Sequence, residues 1–217
     1  MKEPIQHFWQ TRLTHVKKSL ESNNFDVYIA SHAAKAKEIV QEKILPNINV
    51  KTVSWGGSIT FVSTGLYGAI KDDPNYNTLD VFKKNLSPEE AMEQRRQALL
   101  VDLYITGTNA VTEKGQLVNL DMYGNRIAAI TFGPKHVILL VGRNKIVSDL
   151  EEAMSRIKYY AAPVNAMRLD KKTPCAKSSF CEDCNSPDRI CNTWTITEKS
   201  IPKGRIKVVL INEDLGF

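Results

Sequence analysis

The order of apolar segments in the N-terminal third restricts what this chain can fold into more than any other feature. Phe8, Leu13, Val16 and Leu20 recur at three- to five-residue steps among Arg12, Lys17, Lys18 and Glu21, which predicts an amphipathic helix ended by Asn23-Asn24. Residues 25–30 then read as a short strand and residues 33–45 as a helix stopped by Pro46. Residues 50–54 form the next strand and run into Gly56-Gly57-Ser58, which opens a helix through about residue 70. A helix must return the chain between strands that point the same way. This alternation therefore predicts an α/β fold, a parallel or mixed sheet flanked by helices.

The remainder continues the pattern. Ser87-Pro88-Glu89-Glu90 has a capping Ser, a Pro at the first helical position and a Glu that completes a capping box, so a helix should run to about residue 100, carrying Arg95 and Arg96. Residues 101–106 predict a strand, Gly107-Thr108-Asn109 a turn, and residues 110–118 a hairpin around Lys114-Gly115. Residues 127–132 and 136–141 are candidates for buried strands. Residues 147–167 predict one long helix capped by Ser148, and residues 205–211 a closing strand. No Gly-, Ser- or Pro-rich linker divides the chain, so residues 1–217 are expected to form a single domain with a cysteine-rich excursion at 170–195.

That excursion holds all four cysteines, Cys175, Cys181, Cys184 and Cys191, spaced C-x5-C-x2-C-x6-C. Four thiolates are what one tetrahedral zinc or one iron–sulfur cluster needs. The N-terminus has no apolar core of signal-peptide length, and the run at 137–141 is too short to span a bilayer. A reducing cytoplasm is then the expected setting, where clustered cysteines bind metal more often than they form disulfides. Only Cys181 and Cys184 make a close pair. The wider flanking gaps favour an iron–sulfur cluster, with 4Fe-4S the expected type, over zinc. Disulfides are the third alternative.

Charge narrows the partners. A net charge of +5 from 29 basic and 24 acidic residues is intermixed along the chain, with no run of five like charges and no aromatic-basic module. Nucleic-acid binding is not expected. There is no P-loop, no complete G-x-G-x-x-G and no Ser-His-Asp arrangement, which argues against a P-loop NTPase, a standard dinucleotide dehydrogenase and a hydrolase.

Three blocks of text carry a family likeness: D-L-Y-I-T-G-T-N-A-V-T-E-K-G at 102–115, L-V-N-L-D-M-Y-G-N-R at 117–126, and F-G-P-K-H-V-I-L-L-V-G-R-N-K-I at 132–146. With Trp55-Gly56-Gly57-Ser58 and Arg95-Arg96 upstream, the chain resembles the LUD-domain family of lactate-utilisation proteins, and within it a cysteine-cluster-bearing subgroup. The resemblance implies a Rossmann-like fold related to sugar-phosphate isomerases and CoA transferases. It also implies a link to oxidation of L-lactate to pyruvate beside iron–sulfur partner subunits. The chain departs from the family pattern in the second turn after Gly57, where Ser63 stands in place of the usual acidic residue.

Against that background several polar residues are candidates for a ligand cleft. Gly56, Gly57 and Ser58 could offer backbone N–H groups to an anion, although a tight turn with a Ser cap has the same sequence. Asn109 follows a strand whose C-terminal end is where open α/β sheets place ligands. Asn119, Asp121, Asn125 and Arg126 form the densest polar set; Arg126 could hold a carboxylate or phosphate, oriented by Asp121, or these side chains could be structural. Lys145 is a further anion candidate. Thr112-Glu113-Lys114-Gly115 resembles the segment around the glutamate nucleophile of CoA transferases, so Glu113 could act by covalent catalysis, or be a solvated hairpin residue.

The expected function is a LUD-type subunit of a cytoplasmic lactate-oxidising or related redox system. It would bind a small carboxylate or phosphorylated ligand, and an iron–sulfur cluster on its four cysteines. An acyl- or CoA-transferase using Glu113 with a structural zinc, or a non-catalytic interaction subunit, are the alternatives.

Overall fold

The structure, a computed structural model, describes residues 2–217. Helix α1 (Lys2–Ser22) buries Leu13, Val16 and Leu20 and is longer than its apolar pattern predicted; Phe8 lies largely in solvent. Strand β1 (Asp26–Ala30) follows, then α2 (Ala33–Ile39) with a π turn at Val40–Ile44. Strand β2 (Thr52–Trp55) leads through the glycine turn into α3 (Ile59–Ser63) and α4 (Leu66–Lys71). The expected single helix is broken because Gly65 is left-handed (φ 74°) between the two. A short strand β3 (Asn77–Leu79), without a periodic signal in the sequence, pairs with β2. Helix α5 (Pro88–Gln97) has the expected capping box between Ser87 and Glu90.

Strand β4 (Leu103–Thr106) is followed by the hairpin of β5 (Ala110–Thr112) and β6 (Leu117–Asp121), paired antiparallel as the turn residues predicted. Residues 127–132 are not a strand. Helix α6 (Asn125–Thr131) starts from Gly124 at φ 86° and buries Ile127 and Ile130, one helical turn apart. A short apolar run does not distinguish strand from buried helix, and the glycine decides it. Strand β7 (His136–Gly142) forms as expected.

The expected long helix begins later than residue 147. Ile146–Val147 form β8, the N-cap is Asp149, which accepts from Glu152 N at 2.9 Å, and α7 is Leu150–Arg156. A π turn at Ile157–Ala161 then joins α7 to α8 (Ala162–Arg168). Pro163 lacks an N–H and its ring crowds the carbonyl one turn back, which a wider turn relieves. The same device precedes Pro46 at the end of α2. Helix α9 (Pro174–Ser178) carries Cys175; then come β9 (Thr193–Thr197) and β10 (Ile206–Ile211).

Six strands form an all-parallel sheet in the order β1-β10-β7-β4-β2-β3. This is the Rossmann-like α/β arrangement, with both sheet faces covered. Along β7, Ile138 and Leu140 enter a core with Trp55, Phe61 and the α2–α4 residues, while Val137, Leu139 and Val141 face Leu13, Val16 and Leu20 of α1. Four further strands make a small mixed sheet, β8-β5-β6-β9, with α7 on its far face. The segment after Cys191 is therefore the edge strand of this second sheet, antiparallel to β6, before the chain enters β10.

Candidate anion-binding cleft

The loops after β2, β4 and β7 leave the same edge of the parallel sheet, because neighbouring parallel strands end together. They open onto a cleft of about 630 Å³ whose walls include Gly57, Ser58, Gly107, Asn109 and Lys145. Its far wall comes from Ala161, Asn165, Arg168 and Lys171, with Ile190 from the cysteine-bearing segment. This is where ligands bind in open α/β sheets, at the carboxyl ends of the strands.

Arg126 organises one side. Its Nε donates to Asp121 Oδ1 (3.0 Å), Nη1 to Asn119 Oδ1 (2.6 Å) and the Gly107 carbonyl (3.1 Å), and Nη2 to Asn109 Oδ1 (2.7 Å) and the Leu120 carbonyl (3.2 Å). A guanidinium has five N–H donors, and all five are engaged. Arg126 thus ties the turn after β4 to β6 and α6. It can attract an anion through its field, but has no free fork to offer one. Asp121 is committed likewise, to Arg126 and to Gly124 N at 3.0 Å. Asn119 is fully buried behind the wall, its Oδ1 also accepting from Thr108 Oγ1 (3.1 Å) and Asn109 N (3.2 Å). Asn109 and Asn125 face the cleft.

The glycine turn divides. A Cβ on Gly56 would meet Tyr104 OH at 2.6 Å and Thr106 Oγ1 at 2.9 Å, so this glycine serves packing and does not line the cleft. Gly57 does line it, with nothing within 4 Å of a built Cβ. Ser58 caps α3 by accepting from Phe61 N at 3.2 Å. At five residues, α3 is too short to concentrate a helix-end field, so the expected anion site at its start has no support from helix length.

Lys145 is the one buried amine in the cleft wall among the described residues. It is 5% exposed, and its Nζ donates to Thr60 Oγ1 at 2.9 Å. Thr60 in turn donates to the Leu215 carbonyl at 2.9 Å, which fixes the direction of the first bond. No carboxylate pairs with Lys145 among the described residues. Burial, then the nearby Arg156 and Arg126, push its pKa down to about 7. Arg95 and Arg168 also face the cleft without a carboxylate partner among the described residues: Arg95 lies 4.9 Å from the Tyr123 ring centroid, and Arg168 bonds Asn165 Oδ1. Lys171 pairs with Asp188 at 3.5 Å. Arg95, Arg126, Lys145, Arg168 and Lys171 thus line the cleft with Asp121 as the one acidic side chain of the lining among the described residues, which leaves it positively charged. Arg168 and Lys171 lie in no motif; the only sequence sign of them is the local excess of basic residues formed by Arg168 at the end of α8 with Lys171 and Lys172 after it.

Two expected features lie elsewhere or apart. Glu113 sits on the β5–β6 hairpin, pairs with Arg12 of α1 at 3.0 Å, and is not among the residues lining the cleft. Cys175, Cys181, Cys184 and Cys191 are all unpaired and half-buried. Among the described residues no three His, Cys, Asp or Glu side chains stand close enough to share a metal ion, so the thiols as placed do not form a ligand set. The segment bearing them is nevertheless ordered by polar contacts. Arg189 donates to the carbonyls of Cys184 (2.7 Å) and Cys191 (3.0 Å), and Lys158 and Arg189 both reach Asp183. Asn192 N bonds the Asp121 carbonyl at 3.0 Å, which stitches this segment to the cleft.

The model of the family described as "LUD domain" matches residues 13–211. No curated protein matches the sequence. Among solved structures, a DUF162 family protein from Deinococcus radiodurans is similar in fold, with a TM-score of 0.51 and 14% identity over 94% of this chain and 98% of that one.

Proposed function

The chain belongs to the LUD-domain family, associated with lactate utilisation, and from that premise we propose that it is a ligand-binding subunit of a cytoplasmic L-lactate-oxidising or related redox system. Its cleft at the carboxyl ends of β2, β4 and β7 receives a small organic anion. One observation carries this reading: Lys145 is buried in the cleft wall without a carboxylate partner among the described residues. A buried unpaired amine is costly, and an anionic ligand is the partner that removes the cost. Thermal unfolding in L-lactate, pyruvate and inorganic phosphate tests the proposal. At least one should raise the midpoint in a concentration-dependent way, since a ligand bound only by the folded state stabilises it. A midpoint indifferent to all three would refute it.

An iron–sulfur cluster on Cys175, Cys181, Cys184 and Cys191 is part of the proposal on the strength of spacing: four thiols share one segment of a chain without other cysteines. Binding would require that segment to draw the thiols together. Zinc is the alternative occupant. A transferase acting through Glu113 gains nothing from the geometry, because that carboxylate is held by Arg12 away from the cleft lining.

A further inference from the structure

The cleft has room for more than a small acid with one anionic group, and its cations stand at two depths. Its volume of about 630 Å³ equals the liquid volume of roughly twenty water molecules. It falls in the range of pockets that enclose ligands of drug or cofactor size. The cations without carboxylate partners among the described residues differ in burial. Lys145 lies inside, held by Thr60 beneath the 213–216 segment, where Thr60 bonds the Leu215 carbonyl and Asn144 Nδ2 bonds the Gly216 carbonyl at 3.1 Å. Arg168 is exposed on α8 and Arg95 half-exposed on α5, so both belong to the mouth. The lining also includes the apolar Ile59, Val62, Phe82 and Leu169, of which Val62 and Leu169 are exposed and so belong with the mouth.

We propose that the cleft selects an elongated acid with two anionic groups. Lys145 takes the first group at the floor, and Arg95 and Arg168 take the second, a phosphate or a distal carboxylate, at the mouth. This deepens the reading of the cleft as an anion site and rests on it. A buried ammonium gives the inner group a charge-assisted hydrogen bond. The two guanidinium forks suit a tetrahedral or planar oxyanion. The apolar lining suits the acid's carbon chain.

The probes are pyruvate, with one acidic group, and 3-phosphoglycerate, with a carboxylate and a phosphate. Each is titrated calorimetrically at constant ionic strength into the wild-type protein, Lys145→Met and the double variant Arg95→Gln/Arg168→Gln, with thermal unfolding to show that each variant is folded. The wild type should bind 3-phosphoglycerate about tenfold or more tightly than pyruvate. Lys145→Met should weaken both by roughly ten- to a hundredfold, the effect of losing a charged hydrogen bond. The double variant should lose the preference and keep its affinity for pyruvate. If anions bind but Lys145→Met leaves them unaffected, or the double variant keeps the preference, the anion site stands and this inference falls. Equal wild-type affinity for the two probes also overturns it. Failure of both probes to bind overturns it together with the reading beneath it.

Discussion

Two cations in the cleft show how the same charge serves opposite ends. Arg126 is 8% exposed and has every donor engaged, so it stabilises the site's frame. Arg126→Met would leave the Asp121 carboxylate and the amide oxygens of Asn109 and Asn119 short of partners. Urea denaturation should show a loss of about 3–5 kcal/mol. Lysine should rescue little, because one ammonium does not reproduce a planar fork. Lys145 has only Thr60 among the described residues, and its burial works against folding. Its pKa is lowered to about 7 in the folded protein from an ordinary value of 10.5, so between those values the unfolded chain binds the extra proton. Stability should therefore rise with pH across that window, with the full penalty present below it. Lys145→Met should add about 1–3 kcal/mol at pH 7 in the absence of ligand. That gain should shrink steadily as the denaturation series is taken towards pH 10. The charged groups that face it are Arg156 and Arg126.

At the scale of elements, the sequence was most legible where local chemistry and burial agree. The Ser87–Glu90 capping box, the Lys114-Gly115 hairpin and the buried strand at 136–141 all formed as read. It was least legible where a single backbone requirement overrides an apolar pattern. Residues 127–132 look like a strand until Gly124 starts a helix, and Pro163 converts a continuous helix into two joined by a π turn. Strand β9 carries an alternating β-branched and aromatic signal, T-W-T-I-T, which its place beside the cysteine-rich excursion hid, and its pairing with β6 makes it an edge strand. Two left-handed glycines make this dependence measurable. Gly115 (φ 79°) lies where a Cβ would come within 2.8 Å of the α1 backbone at Ser19 and Leu20, whereas Gly124 (φ 86°) has open space. Gly124→Ala should cost about 1–2 kcal/mol, the strain of the conformation alone. Gly115→Ala should cost about 3 kcal/mol or more, since strain and overpacking add. Similar losses for the two in chemical denaturation would show that the hairpin's approach to α1 is not tight.

For the whole molecule, the parallel sheet supplies the cleft's position, and the end of β6, α8 with the segment after it, and Ile190 supply its remaining walls. The polar set around Arg126 was readable in the sequence as a dense cluster, but its division into frame and lining was not. That division depends on which donors find partners, which only the packed structure decides. The far wall was invisible, because Asn165, Arg168 and Lys171 belong to no motif and meet the cleft only through folding. Since the cysteine-bearing segment is stitched to β6 and supplies Ile190, a cluster bound there should be felt in the cleft. Anaerobically prepared protein is expected to contain iron and sulfide and to show visible absorption that bleaches on reduction. Cys184→Ser should lose the metal and lower the thermal midpoint. A colourless protein with stoichiometric zinc would instead support the structural alternative.

The central claim is that an organic anion binds at the carboxyl ends of β2, β4 and β7, against the wall formed by α8 and the segment after it. Hydrogen–deuterium exchange with saturating 3-phosphoglycerate locates the ligand directly. Added protection should concentrate at residues 56–60, 107–109, 143–146 and 165–171. Protection confined to other surfaces, such as the hairpin around Glu113, would contradict the account.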